Sequence, residues 1–184
     1  MTELSPLLAE FPFVYRAEVR FRDLDALGHV NNAVYATYFE SARLNYYQAL
    51  TGLPLARLNI ILAEITITYH APAHFGDTLD IGARVASIGT KSFVMEYLAV
   101  AQRDHTALKI ATCRSVLVAY DYQTGKSVPV SEELRRAVEV GDRGQGEVGS
   151  IHHTSFGKVV LVCRRVLAAT PPTHDDKPSS FIRT

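Results

Sequence analysis

From Ala33 to Leu50 the chain runs eighteen residues without a glycine or proline, and only two of them, Glu40 and Arg43, carry charge. Such a stretch reads as a helix about 27 Å long. Tyr35, Tyr38, Phe39, Leu44, Tyr46 and Tyr47 are spread around much of its circumference. A helix this poor in charge has to be wrapped on most sides by other parts of the chain. Asn31 or Asn32 can cap its start, and Gly52 with Pro54 ends it. Glu40 and Arg43 stand three apart, which makes them neighbours on one helix face.

The wrapping material reads as strands. Around Phe13 to Phe21, Tyr15, Ala17, Val19 and Phe21 alternate with Arg16, Glu18 and Arg20. A second run alternates Ile61, Ala63, Ile65, Ile67 and Tyr69 with Leu62, Glu64, Thr66 and Thr68, and ends at a turn with Pro72 and Gly76-Asp77. Leu79 to Val85, Phe93 to Ala101 and Ala107 to Tyr120 follow, with tight connections at Gly89-Thr90 and Asp104-His105. Lys126 to Val130 reads as a short return strand, and Ser131 to about Val140 as a short helix with its acids in the first turn. Long strands joined by short turns pair as antiparallel neighbours. The expected fold is α+β: a curved antiparallel β-sheet wrapped around one long central α-helix. The domain is expected over 1–140. Residues 141–184, opening with GDRGQGEVG and ending in TPPTHDDKPSSFIRT, read as a Gly-rich linker and C-terminal tail. Within it the apolar run 159–169 is left unassigned.

Composition narrows the function. Nineteen basic and nineteen acidic residues cancel, which argues against a nucleic-acid partner. No run of about 18 apolar residues appears, so no membrane span is expected. The N-terminus lacks a basic leader, and Cys113 and Cys163 form no CxxC; a disulfide between them fits less well than reduced thiols in a cytoplasmic protein. The seven histidines show no metal-ligand spacing, His152 and His153 being merely adjacent, and no P-loop or GxGxxG is present. No metal and no cofactor are expected.

The chemistry concentrates in RFRDLDALGHVNNAVYATYFESAR, Arg20 to Arg43. Two aspartates, Asp23 and Asp25, precede a polar loop that feeds the helix N-terminus. Free N–H groups there, aided by the helix dipole, favour a negative charge close to the first turn. A carboxylate beside a site that can hold an oxyanion suits acyl transfer. On the residues alone, an ionised aspartate placed shortly before that helix start is the candidate nucleophile or general base. Asn31 and Asn32 are most simply capping residues, and His29 either polarises a carbonyl or stabilises the loop. Glu40 and Arg43 read as an ion pair on the helix.

The stretch Phe21-Arg22-Asp23-Leu24-Asp25-Ala26-Leu27-Gly28-His29-Val30-Asn31-Asn32, continued by Tyr35, Tyr38, Glu40 and Arg43, resembles the hot-dog-fold acyl-CoA thioesterases of the 4-hydroxybenzoyl-CoA thioesterase type. Their pattern is close to DxDxxGHVNNxxYxxYxExxR, and the resemblance spans residues 13–140. It implies a hot-dog fold and hydrolysis of an acyl-CoA to free acid and CoA. It also implies catalysis by Asp25, with Asp23 bracing the loop and Glu40 the reserve catalytic carboxylate, since some hot-dog enzymes use a carboxylate on the helix. A carbonyl held by the N–H at about Asn32 is implied too, as is a homodimer or homotetramer joined through sheet edges, with active sites at the interface. Substrate-binding roles would fall to Asn31, Tyr35, Lys91 and Ser92, with Arg84, Arg103 and Arg114 as other phosphate ligands. A hot-dog dehydratase or hydratase, or a non-catalytic acyl-CoA-binding module, is the alternative reading.

Overall fold

Strand order explains why the helix must be central. β1 (Phe13–Glu18) and β2 (Ile60–Tyr69) lie at opposite edges of an antiparallel sheet, and α1 (Asn32–Thr51) is the element that connects them. Between those edges run β3 (Thr78–Ile88), β4 (Ser92–Arg103) and β5 (Thr106–Asp121), giving the order β1-β3-β4-β5-β2, with a two-residue β6 (Lys126–Ser127) added to β5. A chain leaving one edge and entering the other must cross a face of the sheet, and α1 makes that crossing. The computed structural model describes residues 5–54, 57–104 and 106–143. The expected linker and tail from 144 onward, with Cys163, His152 and His153, lie outside the described residues.

The sheet curls around the helix, and β-bulges at Leu62/Glu64, Val85/Ser87 and Ala99/Val100 add local bending. Alternate residues of β3 (Leu79, Ile81, Ala83, Val85) and β4 (Phe93, Met95, Tyr97, Ala99) are buried, as are Ala111, Cys113, Ser115 and Leu117 of β5. They close over Tyr35, Phe39, Ala42, Tyr46 and Leu50 of α1. Phe39 meets Tyr97 at 5.5 Å between ring centres, and Tyr46 stacks on Phe13 at 5.3 Å. A strip of α1 through Ala33, Thr37, Glu40 and Gln48 stays exposed in the single chain, so the wrapping is not complete. A short N-terminal arm covers part of the outer face; there Phe11 sits where a Cβ on Gly82 would come within 2.5 Å of its ring.

Most element boundaries fall near their expected places, with informative exceptions. α1 is capped by the Asn31 side chain, which accepts from Ala33 N–H at 2.9 Å, and it ends at Gly52 in the left-handed conformation (φ 66°). β1 stops at Glu18, not Phe21. Phe21–Asp23 forms a 3-10 turn because the Asp23 carboxylate takes the Arg20 backbone N–H, and Phe21 ends 77% exposed. In β2 the bulge at Ala63 breaks the expected alternation. Ile60, Ile65 and Ile67 pack on the core, while Ile61 and Leu62 are about 40% exposed on the open sheet edge. α2 (Glu132–Arg143) starts one residue after Ser131, whose hydroxyl accepts from Leu134 N–H, and it runs through Gly141.

Candidate active site

The loop between β1 and α1 is built on Asp23. Its carboxylate is buried and accepts from Arg20 N–H at 2.9 Å, from the Tyr38 hydroxyl at 2.8 Å and from both ends of the Arg20 guanidinium. Burial pushes this carboxyl up, but the Arg20 side chain, its backbone N–H and the Tyr38 hydroxyl outweigh that and hold it below the ordinary range. Burial, reinforced by the same Asp23 partnership, drives the Tyr38 hydroxyl well above its usual value. The Asp23 carbonyl then accepts from Asn31 N–H at 2.9 Å, which ties the two ends of the loop together.

Inside this frame the chain folds back at Gly28 (φ 79°), and Leu24 pairs with Val30 across the turn. Asp25 is half-buried. Its Oδ1 accepts from Leu27 N–H at 2.8 Å and His29 N–H at 3.3 Å, while its own N–H donates to the His29 carbonyl. Oδ2 receives no hydrogen bond from any described residue, so one oxygen anchors the carboxylate and the other stays open. The Leu24–Val30 pair brings Asp25 back towards the start of α1. There the Asn31 side chain takes Ala33 N–H and the Asn31 carbonyl takes Val34 N–H at 2.9 Å. The exposed Asn32 N–H has no acceptor among the described residues. The Asn32 carbonyl accepts from the Tyr69 hydroxyl at 3.1 Å, pinning the end of β2 to the helix start.

The β2–β3 connection forms a second wall. Val30 N–H donates to the Ala73 carbonyl, and Ala73 N–H donates to the Tyr35 hydroxyl at 3.2 Å. His29 and His74 pair across the two segments with imidazole centres 5.0 Å apart. Phe21 and Phe75 meet edge-on at 6.1 Å beside them, both mostly exposed. The turn is held by Asp77, which accepts from His74 N–H at 2.8 Å and pairs with Arg103. Burial raises the Asp77 carboxyl, and the Arg103 guanidinium more than reverses that, leaving it below its ordinary range. His74, Phe75 and Asp77 lie far from the Asp25 loop in sequence, and no motif in the His70–Asp77 stretch links the two.

Other expected site residues fall elsewhere. Tyr35 is 3% exposed with its hydroxyl on a backbone N–H, so it ties α1 to the second wall and offers no open face to a substrate. Glu40 pairs with the buried Arg43 at 3.1 Å. It lies eight residues along α1 from Asn32, about 12 Å at the helical rise. Arg43 in turn sits beside Tyr97 and Cys113, whose thiol burial pushes up to about 12. Lys91 and Ser92 occupy the β3–β4 turn, braced by Arg135 of α2 on the Gly89 carbonyl. That turn is at the far end of β3 from the Asp25 loop, about 30 Å along the strand. Arg84 is paired with Glu96, Arg114 with Glu64 and Arg103 with Asp77. A groove of about 340 Å³ on the outer face, floored by Glu96, Leu98, Thr112 and Arg114, contains none of the Asp25-site residues. Among the described residues no group of three or more His, Cys, Asp or Glu is placed to hold a metal ion, and no helix is long and apolar enough to cross a membrane.

Comparison with known proteins gives a consistent answer. The family model of the Thioesterase-like superfamily matches residues 19–138. A thioesterase from Thermus thermophilus, solved with coenzyme A and zinc, is 34% identical and superposes with a TM-score of 0.66 over 73% of this chain and 96% of its own. The long-chain acyl-CoA thioesterase FadM of Escherichia coli K12 is 26% identical over 66% of this chain and 93% of its own. The fold is shared more distantly with a 4-hydroxybenzoyl CoA thioesterase variant in complex with 4-hydroxybenzoyl CoA, at 17% identity and a TM-score of 0.62 over 68% of this chain and 96% of that one. The curled antiparallel sheet around one main helix is the hot-dog fold, and the chain belongs to the thioesterase-like superfamily of thioester hydrolases.

Proposed function

We propose that the chain hydrolyses an acyl-CoA thioester with Asp25 as the reacting carboxylate and the Asn32 N–H as oxyanion donor. The carrying observation is the open Oδ2 of Asp25 on a loop that folds back to a helix-start N–H without an acceptor among the described residues. A carboxylate needs no neighbouring base to be ionised at neutral pH. It can attack the thioester carbon, forming a mixed anhydride as the C–S bond breaks and the electron pair leaves on CoA sulfur; water then opens the anhydride, releasing the free acid, restoring the Asp25 carboxylate and supplying the proton that the CoA thiolate takes up. It can instead take a proton from water, whose oxygen then attacks. Either route builds negative charge on the carbonyl oxygen, and a well-aimed N–H donor in a dry site stabilises that by about 3–4 kcal/mol. Asn31 serves by capping, and His29 by closing the loop around Asp25.

Lys91 and Ser92 enter this scheme only from another subunit, given their distance along β3. The apolar, open edge at Ile61 and Leu62 supports a homodimer or homotetramer that joins sheets there, since an exposed strand edge is a template for pairing. Thiol release from a panel of aromatic, short-chain and long-chain acyl-CoAs, followed with a thiol reagent, tests the activity. Release from at least one class is expected. Hydration of an enoyl-CoA without thiol release would favour a dehydratase or hydratase, and no turnover across the panel would favour a binding module.

A further inference from the structure

We propose that Tyr69 is a positioning residue of this site: from the end of β2 its hydroxyl holds the Asn32 carbonyl, and so fixes where the Asn32 N–H stands when negative charge develops on the thioester oxygen. The inference rests on the Asn32 N–H being the oxyanion donor. The Tyr69 hydroxyl donates to the Asn32 carbonyl at 3.1 Å. The ring that carries it is held at its base and along its side. At the base, Tyr69 pairs with Ala111 of β5, and the N–H groups of His70 and Ala71 both donate to the Ile110 carbonyl, at 2.8 and 3.2 Å. Along its side, the ring meets Tyr35 of α1 edge-on, with centres 5.1 Å apart. Tyr35 is itself buried, its hydroxyl accepting the Ala73 N–H. Tyr69 is therefore a strut between the sheet and the first turn of the helix.

What the strut supplies is position more than stability. Tyr69 is 44% exposed, so water can satisfy its hydroxyl in place of the carbonyl, and the bond adds little to the folded state. The helix start gains more. Asn31 N–H is tied to the Asp23 carbonyl, Val34 N–H closes the first turn on the Asn31 carbonyl, and the Asn31 side chain takes Ala33 N–H. Those three bonds run within the loop and the helix start, so they set its shape and not its place against the sheet. The Tyr69 hydroxyl ties the first residue of the helix directly to a sheet strand. An oxyanion donor works from about 2.7–3.1 Å, so a shift of a few tenths of an ångström at Asn32 weakens it.

The test uses the full chain and Tyr69→Phe, which removes the hydroxyl and keeps the ring against Tyr35. By NMR of isotopically labelled protein, the Asn32 carbonyl and Ala33 amide resonances should move, because they belong to the peptide group that loses its donor. On an acyl-CoA that wild type hydrolyses, kcat should fall about 3- to 10-fold, the worth of one neutral hydrogen bond. KM and Tm should stay close to wild type. Unmoved resonances would overturn the strut itself, and moved resonances with unchanged kcat would overturn its role in placing the donor. A rise in KM at constant kcat would overturn the proposal too, since that marks a contact with bound substrate. So would a loss of kcat that comes with a large drop in Tm, which marks a structural role. Failure of the underlying reading shows separately, as a wild-type chain that releases no thiol from any acyl-CoA or as full activity in Asp25→Asn.

Discussion

Replacing Asp23 with alanine should damage stability more than chemistry, and the structure allows the size to be worked out. Its carboxylate is the partner of the buried Tyr38 hydroxyl and of the Arg20 backbone N–H. Stranding the Tyr38 hydroxyl costs about 1–3 kcal/mol. Losing the acceptor for the Arg20 N–H, a cap of the 3-10 turn, costs about 1 kcal/mol more. The Arg20 guanidinium side chain is 53% exposed, so it regains water and its ion pair adds little. The sum is about 2–4 kcal/mol, or a fall in Tm of roughly 5–12 °C for a domain of this size. Asp23→Asn keeps an acceptor for Tyr38 and should lose about half as much. The pH dependence carries a sign. A carboxyl held below its ordinary value stabilises the fold fully above the unfolded value, near 4, and that contribution disappears as pH falls through the lower folded value. The gap in stability between wild type and Asp23→Asn should therefore narrow from about pH 5 downward. Urea unfolding at several pH values, with thermal melting, measures both effects. An unchanged Tm in Asp23→Ala alongside abolished turnover would refute the assignment of Asp23 as a brace and give it a chemical role.

Two further substitutions probe the surroundings. Gly82→Ala would drive a Cβ into the Phe11 ring, so Tm should fall by an amount equivalent to about 1–3 kcal/mol, and the loss should shrink in a Phe11→Ala background. Leu62→Lys places a charge on the open β2 edge. Light scattering should then shift from a mass two or four times 20.3 kDa to that of a single chain, and turnover should fall as Lys91 and Ser92 of the other subunit are lost from the site. A wild-type chain that is monomeric at micromolar concentration would contradict the proposed assembly.

What could be read from sequence was what depends on local pattern. The charge-poor run from Ala33 to Leu50 demanded a covering sheet, an asparagine at 31 or 32 could cap it and Gly52 ended it, because those outcomes follow from side chains a few residues apart. Misreadings came where a distant group decides. Phe21 continued the alternation of β1, yet the Asp23 carboxylate turned the chain before it could pair. The Ala63 bulge reversed the phase of β2, a matter of register with β5. Tyr35 belongs to the motif, but Ala73, thirty-eight residues on, fixes what its hydroxyl does. The second wall was unreadable for the same reason: His74 is bridged to His29 across forty-five residues, and such pairing leaves no local trace. Lys91 and Asp25 look like parts of one site until the length of β3 separates them.

The account stands most directly on Asp25→Asn, which keeps the shape of the side chain and an acceptor for the Leu27 N–H while removing the charge. On one acyl-CoA that wild type turns over, kcat should fall about 100-fold or more, the scale of losing a positioned base or nucleophile. KM should change little, since Asp25 is not assigned to holding CoA. Near-normal kcat in Asp25→Asn would contradict the account and move attention to Glu40 presented across a subunit interface.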